Sequence, residues 1–177
     1  MRTLMCLDEK NYTDDMPLFL KYAVRAVIIR DGRIAMQKAK AGYYKILGGG
    51  VDEGEAYEDA LVREVQEEAG LVVRRDSIRE IGEIVEIRQD LFEKDHKYEC
   101  HSIFYFCDVE DDMVETKLTA SEVREGFDLE WATPEAIIDA YDKMSKVSER
   151  VDNKPWVDRD TCFIKMLQSG EIKCYTK

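Results

Sequence analysis

Gly49-Gly50-Val51-Asp52-Glu53-Gly54-Glu55-Ala56-Tyr57-Glu58-Asp59-Ala60-Leu61-Val62-Arg63-Glu64-Val65-Gln66-Glu67-Glu68-Ala69-Gly70-Leu71 is the stretch on which the reading of this chain turns. From Glu55 to Ala69 neither proline nor glycine interrupts, and Leu61, Val62, Val65 and Ala69 fall on one arc at ~100° per residue, which predicts an amphipathic helix. Gly70 stands in the C′ position, where a left-handed residue ends a helix. Gly48-Gly49-Gly50, just ahead, breaks regular structure, because glycine adopts backbone angles that other residues avoid and lets a ligand approach the main chain. Glu64, Glu67 and Glu68 are spaced i, i+3, i+4, so three carboxylates share one helix face. Alone, that arrangement is unfavourable twice over. Like charges at this spacing repel by ~0.2–0.5 kcal/mol per pair, and negative charge near a helix C-terminus opposes the macrodipole at ~0.3–1 kcal/mol each. A divalent cation offsets the cost, since hard oxygen donors suit Mg²⁺ or Mn²⁺. A solvated acidic face is the plainer alternative. Ala60, one turn earlier, is small enough to leave room.

Outward from this segment, residues 20–30 are rich in β-branched side chains, and Asp31-Gly32 separates them from Arg33 to Ala39, which predicts a hairpin of two antiparallel strands. Tyr43 to Ile46 reads as a short strand. Ile78 to Arg88 alternates over part of its length, and Ile103 to Cys107 is a continuous apolar run, as in a strand buried on both faces. An acidic, irregular stretch follows up to Trp131. Thr133-Pro134 predicts an N-cap and first turn for a helix to about Met144, and Pro155 opens a last helix that Gly170 ends. Strands with interspersed helices make the fold class α/β or α+β.

The chain has 177 residues, a length that suits one domain over 1–177, and no linker or repeat divides it. Apolar residues make up 45% and charged residues 36%, a globular balance too hydrophobic for a disordered chain. No apolar run approaches the ~20 residues that cross a bilayer, and Leu4 to Leu7 is too short for a secretory signal, so the expected address is cytoplasmic, with no membrane partner. Cys6, Cys100, Cys107, Cys162 and Cys174 form no CxxC spacing and read as free thiols. Twenty-six basic against 38 acidic side chains give a net charge of −12, which repels phosphate backbones; no nucleic-acid partner is expected. A protein this acidic that handles phosphate has to bring cations with it.

The stretch Gly49 to Leu71 follows G-x5-E-x7-R-E-U-x-E-E-x-G-U, with U apolar, through Gly49, Glu55, Arg63, Glu64, Val65, Glu67, Glu68, Gly70 and Leu71. It resembles the Nudix box at every defined position, over about an eighth of the chain. The resemblance implies an α/β/α sandwich with a mixed sheet. It further implies a Mg²⁺- or Mn²⁺-dependent pyrophosphohydrolase that cleaves a nucleoside diphosphate linked to another group X. By the same analogy Glu67 and Glu68 are metal ligands, Glu64 is a ligand or general base, and the Gly48 carbonyl completes the shell. Arg63 orients the glutamates as a partner of Glu67, and Gly49 and Gly50 line the substrate. Members of the family recruit a further carboxylate beyond the box, for which Glu122, slightly preferred, and Glu125 are the candidates.

Other assignments stay open at this level. Glu55 is either functional or simply favoured by the helix dipole. Arg25 meets a substrate phosphate or points outward, and Tyr43 and Tyr44 place a ring against a nucleobase or belong to the core. Asp108, Glu110, Asp111, Asp112 and Glu115 read as a solvated acidic loop, and nothing in the spacing of His96 and His101 argues for a metal site. Where many family members carry proline, this chain has Leu47, which puts the rigidity of the glycine loop in question. The substrate is a small molecule; the surroundings of Tyr44-Lys45 lean towards a nucleoside triphosphate, with ADP-ribose or a nucleotide sugar as the alternative. An isoprenoid diphosphate isomerase and a non-catalytic nucleotide sensor are the rival classes, although a sensor is expected to have lost a glutamate. Homodimer formation is left open.

Overall fold

The computed structural model describes residues 1–145 and 156–173. In chain order it runs β1 (Thr3–Asp8), β2 (Leu18–Val27), β3 (Ile29–Arg30), β4 (Arg33–Lys38), β5 (Tyr44–Ile46), α1 (Tyr57–Ala69), β6 (Leu71–Val73), a 3-10 turn (Arg75–Ser77), β7 (Arg79–Gln89), β8 (Lys97–Phe106), β9 (Val109–Met113), α2 (Ala120–Glu125), β10 (Asp128–Ala132), α3 (Pro134–Ser145) and α4 (Trp156–Gln168).

One mixed sheet has the order β1-β7-β8-β2, with β1 parallel to β7, β7 antiparallel to β8, and β8 parallel to β2. A second has the order β10-β4-β3, all antiparallel, with β5 added to β4, and β6 and β9 form a third of two strands. Alternation along the central strands builds two cores. Val24, Ala26, Ile103 and Tyr105 pack with Leu61, Val65 and Ala69 of α1. Val27 and Phe104 face the opposite way and pack with Ile137 and Tyr141 of α3 and with Phe163 and Ile164 of α4. Fully burying each such aliphatic or aromatic side chain contributes ~1.5–3 kcal/mol. The layers are thus α1, sheets, and α3 with α4, which is the expected α/β/α sandwich with a mixed sheet.

The strand expected over residues 20–30 is two strands. Pairing with β8 ends at Val27 and pairing with β4 starts at Ile29, while the Ile28 carbonyl accepts from Ala35 N–H, so the chain passes from one sheet to the other. Ile28 is as buried and apolar as its neighbours, and the composition therefore gives no sign of the break. The hairpin itself is as expected: Asp31 and Gly32 have φ of 52° and 72°, the positive pair that a type I′ turn requires. β1 has no counterpart in the expectation, because it is held by β7 far along the chain.

The irregular stretch before Trp131 is instead β9, α2 and β10. β9 is the acidic segment and is solvated as expected from Glu110 onward, but it is a strand paired with β6 rather than a loop. α2 spans only 6 residues, too few to show periodicity, and is nucleated by a capping box in which Thr119 and Glu122 exchange side chain to backbone bonds. Thr133 caps α3, its Oγ1 accepting from Ala136 N–H. Pro155 and Cys174 lie outside the described residues.

Candidate functional site

The glycine loop is built against β2. Ala26 N–H donates to the Leu47 carbonyl at 2.9 Å, Val24 N–H to Gly49 at 3.0 Å, and Val51 N–H to Tyr22 at 3.0 Å. Further clamps close around it. Asp160 of α4, wholly buried, accepts Ile46 N–H at 2.9 Å. Arg25 Nη1 donates to the Gly48 carbonyl, Gly48 N–H donates to Glu68 Oε2 at 2.7 Å, and Arg63 Nη2 donates to the Gly50 carbonyl at 3.0 Å. A loop tied at this many backbone atoms does not depend on proline at position 47 for its rigidity. Gly48 has φ of 126°, and a Cβ there would overlap the Val24 carbonyl; a Cβ on Gly49 would overlap the Glu64 carboxylate. These two glycines bring the main chain down onto the face of α1 that carries the glutamates.

α1 begins at Tyr57, two residues later than expected, since Glu55 is engaged elsewhere. Its carboxylate takes Arg63 Nε and Nη2 at 2.8 Å each, a bidentate pair, and accepts Asp52 N–H at 3.1 Å. Arg63, above all, holds the Glu55 carboxyl down to about 2. Glu55 is thus the residue that aims Arg63. The guanidinium also reaches Glu64 Oε1 at 2.7 Å, whereas its expected partner Glu67 is the longest of its carboxylate hydrogen bonds at 3.4 Å. Gly70 ends the helix as expected, with φ of 67° and its N–H on the Gln66 carbonyl.

Glu68 is the buried member, 4% exposed. Lys45 Nζ stands 2.5 Å from its Oε1 and 3.4 Å from Oε1 of Glu122. Burial pushes the Glu68 carboxyl up to about 7, so Lys45 and Gly48 N–H return less than desolvation removes. Glu122 uses Oε2 for the Thr119 N–H and hydroxyl of its own helix cap and turns Oε1 towards Lys45. Its carboxyl lies below the ordinary range: burial opposes this, and the Thr119 bonds together with Lys45 outweigh it.

The sequence singles out Lys45 only beside Tyr44 and does not place it among the carboxylates, yet β5 offers a signal. Tyr44 and Ile46 point into the core beside α3 and α4, so the residue between them must face the α1 side. The same alternation puts Tyr44, left open between a nucleobase contact and the core, in the core. It is buried on the opposite face, its hydroxyl donating to Glu130 at 2.5 Å. Tyr43 is also core, edge-on to Phe127, with its hydroxyl on Glu125, which separates Glu125 from the cluster that Glu122 joins. Arg25 does not point outward but is buried with its head on the glycine loop. Desolvation, aided by repulsion from Arg159, lowers its pKa. Asp160 and Arg159 had no local signal, being more than a hundred residues from the loop they support.

His101 stacks on Tyr22 and bonds to Glu83 and Glu99. His96 lies with Glu93 and Asp95 in a turn where ligand atoms fall within 4.8 Å of one another, an acidic surface cluster in which His96 is bonded to Asp95 at 3.0 Å. A cavity of about 950 Å³, lined among others by Arg2, Ile81, Phe106 and Ile172, contains none of the box glutamates. No described helix is long and apolar enough to cross a membrane. Cys6, Cys100, Cys107 and Cys162 are free thiols.

The donor set around the loop suits a hard divalent cation. Glu64, Glu67, Glu68, Glu122 and the Gly48 carbonyl offer only oxygen, and Glu68 is a desolvated carboxylate short of positive charge.

The family model of the NUDIX domain matches residues 20–152. A NUDIX hydrolase from Nitrosomonas europaea superposes with a TM-score of 0.55 at 17% identity, over 89% of this chain and 98% of that one. A UDP-X diphosphatase aligns with a TM-score of 0.47 at 20% identity, over 66% of this chain, which spans only 52% of that protein. An ADP-ribose pyrophosphatase from Streptococcus suis gives 0.45 at 20% identity, over 65% of this chain and 75% of that one. No curated protein matches. The domain match covers three quarters of the sequence and contains the glycine loop, α1 and the Lys45–Glu68–Glu122 cluster: the chain belongs to the Nudix hydrolase family.

Proposed function

We propose that this protein is a Mg²⁺- or Mn²⁺-dependent pyrophosphohydrolase that cleaves a nucleoside diphosphate linked to a further group X, with small nucleoside triphosphates as the first substrates to try. The observation that carries the reading is that Glu64 lies against Gly49, Glu68 accepts the Gly48 N–H, and Glu68 and Glu122 share Lys45, with Glu67 on the same helix held by Arg63. Bound divalent ions would neutralise phosphate charge and make an attacking water acidic enough to react at neutral pH. The residues that would hold them are Glu67 and Glu68, with the Gly48 carbonyl and Glu122, while Glu64 either joins them or takes the proton of the attacking water. Arg63, fixed by Glu55, keeps Glu64 beside Gly49, and the main chain of Gly49 and Gly50 would then lie against the diphosphate, with the Lys21 side chain next to Gly50.

The test is a panel of nucleoside triphosphates, ADP-ribose, nucleotide sugars and dinucleoside polyphosphates incubated with Mg²⁺ and resolved by chromatography. A nucleoside monophosphate with phospho-X or pyrophosphate is the expected product pair, absent after chelation. Turnover that survives chelation, with no metal left by elemental analysis, would overturn the metal dependence. Binding of nucleotides without turnover of any would support a sensor instead.

A further inference from the structure

We propose that Lys45 is a resident counter-ion of the carboxylate site: in the metal-free protein it ties Glu68 to Glu122, and it competes with the divalent cation for both. This rests on the metal reading given above and concerns a residue outside the box. Three features point to it. The Lys45 ammonium is the nearest positive charge to the most buried glutamate, at 2.5 Å, and is itself mostly withdrawn from water, with 18% side-chain exposure. It is shared between carboxylates on two different elements, the end of α1 and the start of α2, so one ammonium bridges two helices whose Glu68 and Glu122 carboxyls also meet each other. Its position is dictated by β5, where Tyr44 and Ile46 are locked into the core and Lys45 has only the α1 side to occupy.

A divalent ion sits ~2.0–2.6 Å from its oxygen ligands. An ammonium held at hydrogen-bond distance from the same Glu68 oxygen would then face a double positive charge a few ångströms away, which is strongly repulsive in a partly desolvated site. Metal loading therefore expels the ammonium, and the flexible four-carbon stem lets it swing away without moving the strand. The exchange trades one positive charge for two where Glu68 lacks compensation. In the absence of metal, Lys45 keeps Glu122 close to the helix it must later join in ligation.

The experiment compares wild type with Lys45→Met, using Mn²⁺ as the probe and electron paramagnetic resonance to read free ion. Removing the competitor is expected to tighten Mn²⁺ binding roughly tenfold, within the ~5–150-fold range usual for coupled sites. In chelator, Lys45→Met should melt below wild type and gain more from Mn²⁺. Equal or weaker Mn²⁺ binding by a folded Lys45→Met, with wild type binding normally, overturns the proposal. Failure of wild type to bind Mn²⁺ instead refutes the metal reading beneath it. Wild type alone gives a second readout that does not depend on the variant folding. Reductive methylation of Lys45, followed by mass spectrometry, should be slow in chelator relative to the exposed Lys10 and rise severalfold with saturating Mg²⁺. A rate unchanged or lowered by Mg²⁺ overturns the proposal as surely.

Discussion

Two adjacent glycines should fail in opposite ways when each is given one methyl group. At Gly49 an added Cβ would lie 2.5 Å from Glu64 Cδ and 2.6 Å from its Oε1, whereas carbon atoms in contact stand ~3.5–4.0 Å apart, so the carboxylate must retreat by about 1 Å. The obstacle is the end of a flexible side chain, and the Gly49 backbone is not in the left-handed region. The cost is therefore a strained rotamer, ~0.5–1.5 kcal/mol, and a weakened Arg63 contact, ~0.2–1 kcal/mol. Against it stands ~0.4–1 kcal/mol from a less flexible unfolded chain. Net stability should change by no more than ~1 kcal/mol. Turnover should not be spared, since a misplacement of about 1 Å in a catalytic group costs ~10²-fold. At Gly48 the added Cβ meets the Val24 backbone and φ is 126°, so Gly48→Ala carries ~1–3 kcal/mol of backbone strain plus the displacement of β2. Urea unfolding in chelator and turnover of the best substrate measure the two quantities. Full activity in Gly49→Ala would show that the placement of Glu64 does not matter to the chemistry. A stability loss equal to that of Gly48→Ala would show that the loop geometry has been misread.

Other consequences can be checked with the same methods. Arg159, 2% exposed, donates to Asp160 at 2.6 and 2.8 Å and to Glu86 at 3.3 Å, so Arg159→Met leaves buried carboxylates uncompensated and should cost ~3–5 kcal/mol by urea midpoint; a loss below ~1 kcal/mol would disprove the clamp. Glu55 is held at about 2, below its ordinary 4.5, so its contribution is complete above about 4.5 and disappears as pH falls towards 2. Glu55→Gln should accordingly be less stable than wild type near neutrality, with the gap closing on acidification through that window; a gap that widens contradicts the ion pair.

What the sequence discloses of this fold is what short-range physics controls. α1 shows its apolar arc, Gly70 its left-handed stop, and Asp31-Gly32 its turn, each decided within a few residues. The hidden parts depend on distant partners: β1 on β7, β9 on the three residues of β6, and the loop clamp on Asp160, which bonds Ile46 across 114 positions. The site divides in the same way. Glu64, Glu67 and Glu68 are visible because helical spacing places them, and Tyr44 misleads because a short aromatic strand does not say which face is which until α3 and α4 are packed against it.

The electrostatics of α1 are where sequence and structure bear on each other most closely. By spacing alone, three glutamates at a helix end store repulsion that only a cation relieves. The folded protein relieves part of it with its own charges, Arg63 serving Glu55, Glu64 and Glu67, and Lys45 serving Glu68 and Glu122, so two cations touch five carboxylates while Arg25 adds a longer-range attraction to Glu68. The deficit falls hardest on Glu68, where burial outweighs both Lys45 and the Gly48 N–H and moves the carboxyl up to about 7. Its charged form is therefore a burden on the metal-free protein above neutral pH, although it makes a short ion pair. Glu68→Gln keeps the volume and an acceptor for Gly48 N–H and removes the charge. At about pH 8 in chelator it should melt at or a few degrees above wild type, consistent with a gain on the order of 1–3 kcal/mol. The same variant should lose most of the stabilisation that millimolar Mg²⁺ gives wild type through linkage. A clearly lower melting temperature in chelator would mean that Lys45 and Gly48 return more than burial removes, and Glu68 would then be a structural residue first.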